Sequence, residues 1–104
     1  MNENSKQLFQ RGIKLQGLNT QYDQTNEECA ELLVAINHFK RNRIPVEKLL
    51  EEIVDVRIMC NILEVAFKNM YGEDAIDTYL YQMNIEKEAK YKNRLDEIEN
   101  NDIY

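Results

Sequence analysis

The residues of this chain best placed to do chemistry are four carboxylates in two short stretches. In "EECAELLVAI", residues 27–36, Glu28 and Glu31 stand three apart, and in "EEIVDVRIM", residues 51–59, Glu52 and Asp55 stand three apart. On an α-helix such pairs share a face, with Cβ atoms roughly 5–6 Å apart. Asp55 interrupts Ile53, Val54, Val56, Ile58 and Met59, a setting in which an unpaired charge costs several kcal/mol. Crowded carboxylates either take up protons or bind a cation. Oxygen donors without His or Cys select hard ions such as Mg²⁺ or Mn²⁺. The pattern therefore points to divalent cations held for phosphate chemistry.

Plainer roles compete for the same residues. Thr25-Asn26-Glu27-Glu28 matches a capping box, in which Glu28 serves only the start of a helix. Any single ExxE is an ordinary solvated helix face, as expected for Glu27, Glu47 and Glu51. Arg57 lies in the same helix as Asp55 but two residues away, on a different face. His38 is seven residues beyond Glu31 and shares its face; a partly buried or exposed helix-end histidine is the simpler expectation. Di-iron carboxylate bundles use ExxH pairs, and neither motif here has one. Tyr71, Tyr79, Tyr81 and Tyr91 could stack on a base, but along an amphipathic helix they read first as packing and interface residues.

The elements that position the acids are helical by composition, since 104 residues contain only three glycines and one proline. Residues 1–18 predict a short, loosely docked, peripheral helix ending at a "GLNT" turn. Asn19 and Thr20 are candidate caps for a second segment whose apolar spacing runs through Cys29, Leu32, Leu33, Ile36 and Phe39. It ends in Lys40, Arg41 and Arg43, cations suited to the negative end of a helix dipole. Pro45 stops that helix and fits the first turn of the next, expected from about Val46 to Met70 and apolar nearly all round. Gly72 is its C-terminal cap, and a further helix starts near Glu73 and carries Ile76, Tyr79, Leu80, Met83, Ile85, Leu95 and Ile98. The tail from Glu99 to Tyr104 is expected to fray. The short link from Asn42 to Pro45 makes its two helices antiparallel neighbours, so the four carboxylates can converge.

The whole chain bounds the answer further. Its length is that of a single domain over residues 1–104, and a chain this short buries only a modest share of its surface; partner copies would complete the core. A formal charge of −6 argues against nucleic acid, whose binding depends on Lys and Arg, so an anionic substrate needs a cation as intermediary. No apolar run approaches the roughly 20 residues that span a bilayer, and the N-terminus has no apolar signal region. A soluble, cytoplasmic protein is expected. Cys29 and Cys60, without CxxC spacing, read as reduced packing residues.

The two acidic stretches together resemble the ExxE and ExxD motifs of the MazG-like, all-α nucleoside triphosphate pyrophosphohydrolase superfamily, whose relatives include dimeric dUTPases and dCTP pyrophosphatases. The resemblance extends from about Gln21 to about Leu95. It is greatest to the small phage and Firmicutes members, which resemble this chain also in "HFKRNR" after the first motif and in a late Lys and Arg seven apart. It implies that Glu28, Glu31, Glu52 and Asp55 bind Mg²⁺, and that Lys87 and Arg94 contact a triphosphate. It implies an all-α fold whose antiparallel helices form a four-helix bundle completed by dimerisation, often with two dimers paired into a tetramer. The aromatic and Asn positions that larger members place around the base have no counterpart here, which leaves base preference open.

The implied activity is cleavage of a (d)NTP to a (d)NMP and pyrophosphate. The bound ions would screen a polyanion from the acids and activate a water for attack at the α-phosphorus. Glu31, or a neighbouring acid such as Glu27, would accept the water's proton. Lys87 and Arg94, about two turns apart, can face one ligand; read without the resemblance they form a solvated face with Glu86, Glu88 and Lys90. The alternatives are a non-catalytic helical oligomer that binds nucleotide or a protein partner, and hydrolysis of another phosphate ester.

Overall fold

The computed structural model describes residues 1–102, which form four α-helices and no strand. Helix α1 (Glu3–Gln16) starts at Asn2, whose side-chain oxygen accepts the Ser5 amide at 2.8 Å. It is better docked than a peripheral segment: Phe9 is buried, and Gln10 and Asn69 exchange two side-chain amide hydrogen bonds of 2.7 Å. Helix α2 (Leu18–Lys40) begins directly after Gly17, with no side-chain cap. Asn19 and Thr20 therefore lie within its first turn and do not cap it. At Gly17 the backbone has φ 86° and ψ 164°, a region open essentially to glycine alone, and this one residue turns the chain between two helices.

Helix α2 ends in a Schellman arrangement. Asn42 takes φ 58°, its amide donates to the Phe39 carbonyl, and the Arg43 amide reaches back to the His38 carbonyl, each at 2.9 Å. Helix α3 (Val46–Tyr71) follows Pro45 and ends at Gly72, φ 99°, whose amide donates to the Lys68 carbonyl. Helix α4 (Glu73–Asp102) leaves from that single glycine. It stays helical through Glu99–Asp102, part of the expected frayed tail; residues 103 and 104 lie outside the described part.

Helices α2 and α3 make the main packed pair, and α1 lies against both. The less exposed residues of α2 include Gln21, Thr25, Glu28, Leu32, Ala35 and His38, and those of α3 include Leu49, Glu52, Val56, Met59 and Leu63. These 3-and-4 spacings are the seam of two helices crossing at a shallow angle. Glu28 and Glu52 therefore occupy seam positions. Cys29 and Cys60 are free thiols but exposed in the single chain, off the seam, so neither packs the core.

Helix α4 packs its backbone against α3 alone, through half-buried Ile76, Leu80 and Met83 and a 2.8 Å ion pair from Lys68 to Asp77. Lys6 of α1 reaches its first residue, Glu73, at 3.1 Å. From Asn84 to Asn101 every residue is exposed except half-buried Asp96. The radius of gyration, 17.6 Å, exceeds the roughly 13 Å of a compact chain of this length. None of the described helices is long and apolar enough to cross a membrane.

Candidate metal centre

The antiparallel pairing of α2 and α3 brings the two acidic motifs together. One carboxylate oxygen from each of Glu28, Glu31 and Glu52 lies within 4.8 Å of the others. Asp55 is outside that tight group and exposed, yet its charge acts on Glu31. The charge of Glu28 first, then desolvation, then the charge of Glu52, then a side-chain hydrogen bond with Glu28 and last the charge of Asp55 hold the Glu31 carboxyl above its ordinary value of 4.5. Three carboxylates thus converge at one point of the helix pair, with the charge of Asp55 acting on Glu31 from outside the group.

Among the described residues no lysine or arginine forms an ion pair with any of the four acids. Glu28 Oε2 and Glu52 Oε2 are buried with no hydrogen-bond partner, a condition that native structures rarely leave uncompensated. Gln24, one turn before Glu28, donates its amide to Glu28 Oε1 at 2.9 Å and fixes that side chain's orientation. The fit to a hard divalent cation is good: the donors are all carboxylates, one oxygen of each converges with the others, and Glu28 and Glu52 each keep a buried oxygen without a hydrogen-bond partner.

The structure shifts weight among the predicted residues. Glu28 is ten residues into α2, since the helix starts at Leu18 and Thr25 donates its hydroxyl to the Gln21 carbonyl at 2.7 Å; the capping-box role is excluded. The sequence singles out Asp55 as the buried acid, but in this chain the burial falls on Glu28 and Glu52. Residues alternate between seam and flank too finely for an apolar neighbourhood to reveal which acid lies inside. Gln24 escaped the sequence reading, although its i,i+4 spacing to Glu28 is the signal that finds it.

Lys87 and Arg94 are not brought to the acids. Both are exposed on α4, whose backbone does not approach α2, and the Arg94 guanidinium lies 5.3 Å from the centre of the Tyr91 ring. His38, by contrast, lines a groove that also includes Glu31, Glu52 and Lys48. Compared with family models, with curated proteins and with solved structures, the chain matches none.

Proposed function

We propose that this chain is a divalent-cation-dependent nucleoside triphosphate pyrophosphohydrolase of the MazG-like all-α kind, active as a homodimer or homotetramer. The observation that carries this reading is the pair of buried, unpartnered oxygens of Glu28 and Glu52 beside Glu31, none of these acids being ion-paired to a lysine or arginine among the described residues. Glu28, Glu31, Glu52 and Asp55 would hold Mg²⁺ or Mn²⁺. The bound ion supplies the positive charge that draws a polyphosphate to an acidic site and lowers the pKa of a water.

The chain's own groups do the rest. Gln24 keeps Glu28 turned into the cluster. Glu31 is exposed and its carboxylate is made more basic by its neighbours, which suits it to take the proton of an attacking water. As the water oxygen bonds to the α-phosphorus, the bond from that phosphorus to the bridging oxygen breaks, and pyrophosphate leaves. Lys87 and Arg94 would serve the triphosphate from the partner copy, because α4 of the same chain packs away from α2.

Assembly is supported by area. The chain exposes 8365 Å², about 2,200 Å² more than the roughly 6,100 Å² typical of a compact monomer of this mass. An excess of that size is what an obligate interface covers.

Pyrophosphate release from a panel of canonical and modified nucleoside triphosphates, with and without Mg²⁺, tests the reading. Activity that requires the cation and disappears in Glu52→Gln and Asp55→Asn, with helicity retained by circular dichroism, supports it. The uncovered apolar surface also fits a non-catalytic helical oligomer. No release from any nucleotide, together with no Mg²⁺ uptake by calorimetry, would establish that reading instead.

A further inference from the structure

The turn between α2 and α3 collects positive charge in a chain whose net charge is −6. Lys40, Arg41 and Arg43 stand within four positions, and no acid lies between Glu31 and Glu47. All three cations are exposed, and none is in an ion pair among the described residues. The outer end of α4 has the opposite character. No Lys or Arg follows Arg94, whereas Asp96, Glu97 and Glu99 do. Lys92 holds Asp96 at 2.7 Å; Glu97 and Glu99 are exposed and without an ion pair among the described residues. The helix adds the negative pole of its dipole at that end. Apolar side chains lie bare beside both charged regions: Ile36, Phe39 and Val46 near the turn, Tyr91, Leu95 and Ile98 on α4.

We infer that α4 of one copy lies along the α2–α3 hairpin of another, with Glu97 and Glu99 seated on Arg41 and Arg43 of that copy. The inference rests on the oligomer of the proposed function and names the surfaces that would join it. Two spacings agree with this seating. Arg41 stands ten residues after Glu31 and Glu97 ten residues after Lys87, about 15 Å along a helix in each case. With α4 parallel to its neighbour's α2, Glu97 at Arg41 therefore sets Lys87 level with Glu31, so the acid cluster gains a cation that its own chain does not bring to it. The contact would be reciprocal in a two-fold dimer. A nucleic acid would find the same three cations, but the net charge of −6 repels it. A second copy brings acids and apolar side chains together, and covers surface that the single chain leaves bare.

The test needs no nucleotide: it reads mass by sedimentation velocity on the full chain and on two double variants, Arg41→Glu with Arg43→Glu, and Glu97→Lys with Glu99→Lys. Each variant alone should self-associate about tenfold more weakly, because like charges then face each other. An equimolar mixture of the two should regain the wild-type mass, since the acidic turn of the first meets the basic helix end of the second, and the reverse contact is matched as well. All four positions are exposed, so helicity by circular dichroism should be unchanged. Should a reversed variant lose it, the corresponding Gln variants serve instead: each pair should weaken association, and both pairs together should weaken it no further than one. Variants that associate like the wild type, or a mixture that stays dissociated, would overturn the inference. A wild-type chain that is monomeric at every concentration would overturn it too, while pyrophosphate release from the same samples decides the proposed activity independently.

Discussion

Glu31 carries a consequence that can be measured without any substrate. Its carboxyl is held above 4.5 chiefly by Glu28, so the folded chain keeps this proton to a higher pH than the unfolded chain does. Cation-free protein should therefore gain stability as pH falls through the window between the raised value and 4.5, and lose it as pH rises through that window. Thermal melts across this range should show that slope, and saturating Mg²⁺ should flatten it and raise the transition temperature. Glu31→Gln should separate stability from activity. It should raise the cation-free melting temperature at neutral pH by relieving repulsion, yet lower the turnover number by about 10²–10⁴-fold. Gln24→Ala, which frees Glu28 Oε1 from its orienting amide, should weaken Mg²⁺ binding about tenfold by calorimetry. The acids themselves are legible in the sequence because their spacing is helical and doubled. Their division of labour is not, because it depends on which of two neighbouring faces meets the partner helix.

Among the elements, the boundaries of α3 are legible because the only proline and a glycine punctuate it: Val46–Tyr71 lies between Pro45 and Gly72. The start of α2 is not, since Gly17 alone breaks the helix and the following Leu-Asn-Thr continues it. The α2–α3 turn supplies a separate test. Asn42 sits at φ 58°, where a side chain costs roughly 1–2 kcal/mol and glycine nothing. Asn42→Gly should leave stability unchanged or slightly raised. Asn42→Val should lower it by about 2 kcal/mol in urea unfolding at fixed protein concentration, and should reduce Mg²⁺ affinity as well, because this turn sets the register that joins the two motifs.

For the molecule as a whole, the apolar residues that sequence patterning assigns to cores are largely bare. Leu33 is 65% exposed, Val54 48% and Ile85 53%, and among the described residues only Phe9, Ala35, Met59, Val65 and Ala66 form a buried apolar core. An amphipathic pattern records that a face will be covered, but not whether by the same chain. The expected outcome is a transition temperature that rises with protein concentration, and a mass by light scattering that is a multiple of 12.4 kDa. Val54→Lys should shift that mass downward or unfold the chain. If Lys87 and Arg94 act on a neighbouring subunit's acids, two inactive variants, Glu31→Gln and Arg94→Ala, should regain part of the activity when unfolded and refolded together.

One further consequence belongs to Gly72. Helix α4 is a rod of about 45 Å hinged on a single residue and gripped only near its base. A change of about 10° at that pivot would swing the far tip by about 8 Å. The aim of Arg94 is thus decided some thirty ångströms away, by one glycine torsion and by whatever clasps the rod's outer half.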